Sequence, residues 1–172
     1  KRRAARDCGA LSRAMLPDNQ EIEDAVRAHL SLFHGETQPK ELLALRRLAL
    51  VWMDRLAEFR PHLCAGAWNG TATLHSGLHL ELFCDDPKLA EIALVNMGLA
   101  PGPQQGKWNS YDGISTLQFI HFYDELDSDI SIFISIKDYD MIRGGLRVDR
   151  QGRALRGDAA QLRRLMEATE RG

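Results

Sequence analysis

The sequence predicts an α+β protein: a mixed sheet of about four or five strands, a helical N-terminal layer, a crossover helix and a C-terminal helix. Three observations carry this. Gly77 to Phe83 alternates strictly, with Leu78, Leu80 and Leu82 on one side and Gly77, His79, Glu81 and Phe83 on the other. Asp129 to Ile136 repeats the pattern, setting Ile130, Ile132, Ile134 and Ile136 against Asp129, Ser131, Phe133 and Ser135. Around these strands lie segments of helical period bounded by caps, prolines and glycines.

Arg3 to Met15 reads as a short helix with Ala4, Leu11 and Met15 on one side. Leu16-Pro17-Asp18-Asn19 breaks it, and Asp18 or Asn19 caps a second helix with Ile22, Val26, Leu30 and Phe33 at helical spacing, stopping at Gly35. Thr37-Gln38-Pro39 starts a longer helix to about Phe59, whose buried stripe is Leu42, Leu45, Ala49, Trp52, Leu56 and Phe59, and Pro61 ends it. His62 to Trp68 reads as a strand and Asn69 to Thr73 as a turn or one tight helical turn. After the Gly77–Phe83 strand, Asp86-Pro87 opens the crossover helix, which runs to Met97 and closes at Gly98. Pro101 to Gly113 is expected to be a polar loop. Leu117–Tyr123 and Asp129–Ile136 are strands joined by a hairpin turn at Glu125–Ser128, and Asp158 caps a last helix to about Glu170. On this reading residues 1–60 are a helical segment packing on the sheet and 61–172 an α/β core, together one compact domain.

Length and charge bound the function. A chain of 172 residues with 44% hydrophobic content is long enough for a real core that buries roughly 70% of its unfolded surface. A net charge of -2 gives no broad attraction to nucleic acid or to an anionic membrane. No run of about 18 apolar residues crosses a bilayer, so neither membrane nor nucleic acid is an expected partner. Cys8, Cys64 and Cys84 are odd in number and lack a metal-type spacing, which suggests reduced thiols in a cytoplasm. Opening on Lys1-Arg2-Arg3 without a methionine, the chain reads as a trimmed product.

Chemistry converges on the stretch Pro61–Asp86, where a leucine row, a small-residue turn and ionisable groups meet. Alternation brings His79 and Glu81 side by side on one strand face. The plain reading is a hydrogen-bonded pair; the sharper one adds His121 from a neighbouring strand to make a transition-metal cluster. His75 reads as solvated in the turn, and His34 and His62 as cations near helix ends. Arg143, Arg147, Arg150, Arg153 and Arg156 make the densest basic segment, either a phosphate contact or a solvated surface. There is no Ser-His-Asp arrangement, Walker loop or dinucleotide fingerprint.

Ala65-Gly66-Ala67, then nine residues from Trp68 to Ser76, then Gly77-Leu78-His79-Leu80 have the spacing of a known motif. They resemble the nucleotidyltransferase fold of the polymerase-β superfamily, whose signature is a hydrophobic residue, Gly-Ser or Gly-Gly, a spacer, and Asp-hydrophobic-Asp-hydrophobic. The arrangement is similar to an uncharacterised bacterial branch of nucleotidyltransferase-like proteins, in which helices precede the motif. A segment like Val148-Asp149-Arg150-Gln151-Gly152-Arg153 lies before the C-terminal helix of that branch.

The resemblance implies a turn at Gly66, Ala67, Asn69, Gly70 and Thr71 that offers backbone amides to nucleotide phosphates. It also implies two carboxylates on the following strand and a third on a neighbouring strand, together holding Mg²⁺. This chain departs from the pattern: Ala67 stands for the serine, and Gly77 and His79 for the two aspartates. Magnesium wants hard oxygen ligands, whereas imidazole suits a transition metal. If the chain is active, Glu81 with His79 carries the chemistry, and His79, Glu81 and Asp129 hold the metal. Three functions follow: an altered nucleotidyltransferase, a non-catalytic nucleotide- or protein-binding regulatory module, and an unrelated α+β protein with a small-ligand pocket.

Overall fold

The computed structural model describes residues 17–99, 107–111, 114–146, 148 and 152–170. The expected helix Arg3–Met15 and residue Cys8 lie outside them, as do most of the Pro101–Gly113 loop and part of the basic segment. In chain order the elements are α1 (Asn19–Phe33), α2 (Gln38–Arg55), β1 (His62–Cys64), α3 (Ala65–Asn69), β2 (Leu78–Cys84) and α4 (Pro87–Asn96). There follow β3 (Lys107–Tyr111), β4 (Ile114–Tyr123), β5 (Ser128–Asp138), β6 (Arg156–Gly157) and α5 (Ala159–Glu170). Short 3₁₀ turns occupy Ala57–Phe59, Asp124–Leu126 and Tyr139–Leu146. The protein is α+β with a mixed sheet, as the sequence predicts.

The strands form one sheet in the order β3-β4-β5-β2-β1-β6. β2 runs parallel to β5, with Leu78 opposite Ile132 and Glu81 opposite Ser135. On its other side β1 is antiparallel, with His62 opposite Glu81 and Cys64 opposite His79. This register joins Leu78, Leu80 and Leu82 to Ile132, Ile134 and Ile136 in one apolar sheet face, all of them buried. α2, α4 and α5 cover that face through Leu45, Ala49, Trp52, Ala90, Leu94 and Leu162. The alternation in the sequence therefore decides both the core and the face left without these helices.

Local chemistry explains the boundaries. α1 starts with a capping box: Glu21 N–H donates to Asp18 Oδ1 at 2.8 Å and Asp18 N–H to Glu21 Oε2 at 2.7 Å. Of its predicted stripe only Leu30 is buried, while Val26 is 39% and Phe33 69% exposed. α2 has proline in its first turn and stops at Arg55, after which the chain tightens into the 3₁₀ turn that places Phe59 in the core. Trp52 meets Phe119 and His121 edge-on, at 5.1 and 5.7 Å between ring centroids. Asp158 and Gln161 make a reciprocal cap for α5, at 2.9 and 2.8 Å.

Two expectations need correction. The strand read as His62–Trp68 ends at Cys64, because Ala65 takes a positive φ of 56° and turns the chain into the one-turn helix α3. Within the stretch read as a loop, Lys107–Tyr111 is β3, paired antiparallel along the start of β4. Lys107, Asn109 and Ser110 interrupt the strand signal of Trp108 and Tyr111, so the pairing with β4, not a clear alternation, marks the strand.

β6 is two residues long and holds its place beside β1 through Leu63 opposite Gly157 and Cys64 opposite Arg156. A methyl group at Gly157 would overlap the Trp68 ring. Gly157→Ala is expected to cost roughly 1–3 kcal/mol through overpacking and to release the Trp68 indole. Chemical denaturation followed by tryptophan fluorescence measures both, and a neutral result would mean the ring is free to move aside.

Candidate functional site

The face of the sheet away from α2, α4 and α5 is built by the other half of each alternation. It carries Cys64 from β1, His79 and Glu81 from β2, Thr116 from β4, Phe133, Ser135 and Lys137 from β5, and Arg156 from β6, all half-buried. Ile120 and Phe122, further along β4, are 68% and 54% exposed.

Glu81 is the electrostatic centre of this face. Lys137, diagonal to it on β5, donates from Nζ to Oε1 at 2.5 Å, and Arg156 Nη1 donates to Oε2. The Arg156 guanidinium lies 4.4 Å above the Phe83 ring, and its Nη2 also donates to the carbonyls of Met141 and Ile142 at 3.0 and 3.3 Å. Burial pushes the Glu81 carboxyl upward, but the hydrogen bonds and charges of Lys137 and Arg156 outweigh it and hold the pKa below the ordinary 4.5. Both carboxylate oxygens are thus engaged by cations. A metal ion would have to displace one of them.

Beside the triad, His79 stacks on Phe133 with centroids 4.5 Å apart and planes 5° from parallel. Burial lowers the His79 pKa, so the ring is neutral at pH 7. The Cys64 thiol donates to the His79 carbonyl at 3.5 Å, and burial, aided by the Glu81 charge, pushes its pKa up to about 12. It is a thiol at neutral pH, and a thiol is a poor nucleophile. Gly77, the first position of the motif strand, has φ 72°, and a Cβ there would stand 2.9 Å from Phe133 Cε2 and 3.1 Å from the Ser131 carbonyl. A carboxylate fits at 77 only if Phe133 moves and the backbone accepts strain.

The residues expected to hold a metal do not converge. Asp129 is exposed and pairs with Phe122 of β4, and four residues of strand, ~13 Å, separate it from Phe133, the partner of His79. His121 belongs to the opposite, helix-covered face, where it meets Trp52. β5 also stands between its strand and β2. Among the described residues no three His, Cys, Asp or Glu side chains are grouped to hold a metal.

The five residues expected to cradle phosphates do form one turn, but the amides of its second half and most of its carbonyls are engaged within the protein. The amides of Gly70, Thr71 and Ala72 all donate to the Gly66 carbonyl, at 2.9, 2.9 and 3.0 Å. Asn69 Oδ1 accepts from the Thr71 amide and hydroxyl at 3.2 and 2.8 Å. The carbonyls are capped by α1 and α2: Arg46 Nε and Nη2 donate to Ala67 and Trp68, Arg27 Nη2 to Asn69, and Gln38 Nε2 to Gly70 and Ala72. Read from the sequence, the helical pattern of α2 puts Arg46, with Arg47 and Arg55, on its edge or exposed side; instead Arg46 joins Gln38 as a buried polar residue of the described core, because its guanidinium caps the α3 carbonyls. Each stands at helical period on α2, where a lone polar side chain reads as solvated. Lys137 continues the Phe133, Ser135 alternation and was legible in principle. Arg156 stands in the basic segment that reads as a phosphate contact or a solvated surface; it is instead half-buried and bound to Glu81.

No known protein family, curated protein or solved structure matches this chain.

The depressed Glu81 carboxyl contributes stability above about pH 4.5, and that contribution is lost as the pH falls through its lower folded value. Glu81→Gln is expected to lower stability by roughly 1–3 kcal/mol at pH 7, with the gap closing in acid below about pH 4.5. His79 acts in a different window: its folded pKa lies below the ordinary 6.5, so the unfolded chain takes up the proton first and stability falls as pH drops from 6.5. His79→Gln should flatten that decline while leaving the acid effect of Glu81 in place. Melting temperatures across about pH 2 to 8 separate the two.

Proposed function

We propose that the chain is a nucleotidyltransferase-like module that binds its ligand without metal-dependent nucleotidyl transfer. The likeness in layout is supported by the strand order. The small-residue turn follows β1, β1 lies antiparallel beside β2, and β5 flanks β2 on its other side. That is where the resemblance calls for a strand supplying a third ligand. The loss of transfer chemistry rests on Phe133 filling the space over Gly77 and stacking on His79. The two positions that would carry carboxylates are thereby closed, and Glu81, the remaining carboxylate on that strand face, is neutralised by Lys137 and Arg156. Forfeiting a divalent ion removes several kcal/mol of transition-state stabilisation, with each 1.36 kcal/mol worth tenfold in rate.

Nucleotide is the ligand class the resemblance implies, and around Glu81 itself the two cations Lys137 and Arg156 outnumber the single carboxylate. The free thiols of Cys64 and Cys84 support a reducing, cytoplasmic setting. No described helix is long and apolar enough to cross a membrane.

Calorimetry with ATP, with Mg²⁺ and with a chelator, tests the reading together with a transfer assay over several nucleotides. Binding that is indifferent to the chelator, weakened in Lys137→Met, and unaccompanied by transfer is the expected result. Turnover that needs Mg²⁺ and disappears in Glu81→Gln would make the protein an enzyme and reject the proposal.

A further inference from the structure

Arg46 presents a charge problem that the sheet face does not explain. It is 5% exposed, and burial lowers its pKa. Its partners are two backbone carbonyls, Ala67 and Trp68, reached through Nε and Nη2. No described carboxylate pairs with it, and Nη1 makes no hydrogen bond among the described residues. A buried guanidinium is costly unless paired or fully hydrogen-bonded.

This same side chain forms part of the wall of a cleft of about 430 Å³ between α1, α3, the segment 153–155 and α5. The volume falls in the range of small-molecule sites. Trp68, Leu155 and Leu165 give the cleft an apolar side, while Glu23, Asn69 and Arg153 line it with polar groups. Glu23 does not answer Arg46. Its carboxylate is already held by Arg27 at 2.8 Å, by Asn69 Nδ2 at 2.9 Å and by Arg153 at 3.6 Å. Among the described residues of the wall, Arg46 and Arg153 stand beside one carboxylate, Glu23, which is already committed. Trp68 is fixed in place by its indole N–H, which donates to the Ala154 carbonyl at 2.7 Å.

We infer that this cleft is a binding site for a small organic anion, with a carboxylate or phosphate head at Arg46 and an apolar or aromatic body against Trp68 and Leu155. The head supplies the acceptor that Arg46 Nη1 lacks and the negative charge that its buried guanidinium lacks. Because the head meets a desolvated cation, its charge-assisted hydrogen bond is stronger than one formed at the surface. The site is separate from the Glu81 face and stands or falls independently of the function proposed above.

The test is a titration of the ¹⁵N-labelled protein with phenyl phosphate and with benzoate, using benzyl alcohol and inorganic phosphate as the headless and bodiless controls. Saturable shifts of the Trp68 indole and Asn69 side-chain resonances are expected with at least one of the two aromatic anions. The uncharged alcohol should bind about tenfold more weakly or worse, the loss of one charge-assisted contact. The tighter of phenyl phosphate and benzoate identifies the head. Arg46→Met should abolish binding. Because that change also strips the caps from α3, Leu155→Asp serves as a second variant at a position 54% exposed, and it should weaken binding while leaving the spectrum folded. Equal affinity for benzyl alcohol, shifts confined to other residues, or undiminished binding in Leu155→Asp would overturn the inference.

Discussion

The carboxylate of Glu81 is the point on which the C-terminal third of the described structure depends. It sits mid-strand in β2 and receives Lys137 from β5 and Arg156 from β6. Through Arg156 it also reaches the 3₁₀ segment, by way of the Met141 and Ile142 carbonyls. β6 contributes few backbone bonds of its own, being two residues long. Its attachment rests on side chains: Arg156 on Glu81 and Phe83, and Gly157 under Trp68. A half-buried ion triad of this kind adds little net energy over an apolar filling, yet removing one member leaves two charges poorly solvated. It fixes which strand lies where.

A second constraint acts at the other end of β1. The turn from Ala65 to Ala72 gathers several carbonyls in a small volume, and a turn so short cannot satisfy them itself. α1 and α2 do so with Arg27, Gln38 and Arg46. Here burial of polar residues is the means by which the helical layer is oriented on the sheet, while Leu45, Ala49 and Trp52 supply the contact area. The turn is thereby held from the helix side, and its amides fold onto the Gly66 carbonyl.

How much of this was legible in the sequence follows from range. The alternation of Leu78, Leu80 and Leu82 and of the isoleucines in β5 specified strands, faces and core, because one buried face repeats every second residue. Caps at Asp18, Asp86 and Asp158 marked helix starts for the same local reason. β3 was missed because Trp108 and Tyr111 stand among polar residues between prolines and glycines, without a clean alternation, and its pairing lies on the next strand. The site was legible as a place and not as a constellation. His79 and Glu81 do share a face, but sequence spacing does not say that Phe133 rather than Asp129 faces His79, a matter of parallel register. Nor does it say that His121 turns to Trp52. Arg46 was hidden among the arginines of a helix, where only the tertiary fold tells a buried guanidinium from a solvated one.

The ties that close the molecule are distant along the chain. Arg156 bonds Glu81 across 75 residues, Trp68 bonds Ala154 across 86, and Arg163 bonds Asp54 across 109. Contacts of such span are entropically expensive to form until the intervening chain is already compact. β6 and α5 should therefore dock late, onto a sheet already assembled from β1, β2, β4 and β5. The cleft wall formed by Arg153, Ala154 and Leu155 belongs to that late segment. An anion bound there would bridge the last part of the chain to settle and the first helices, and so would slow its release more than its arrival.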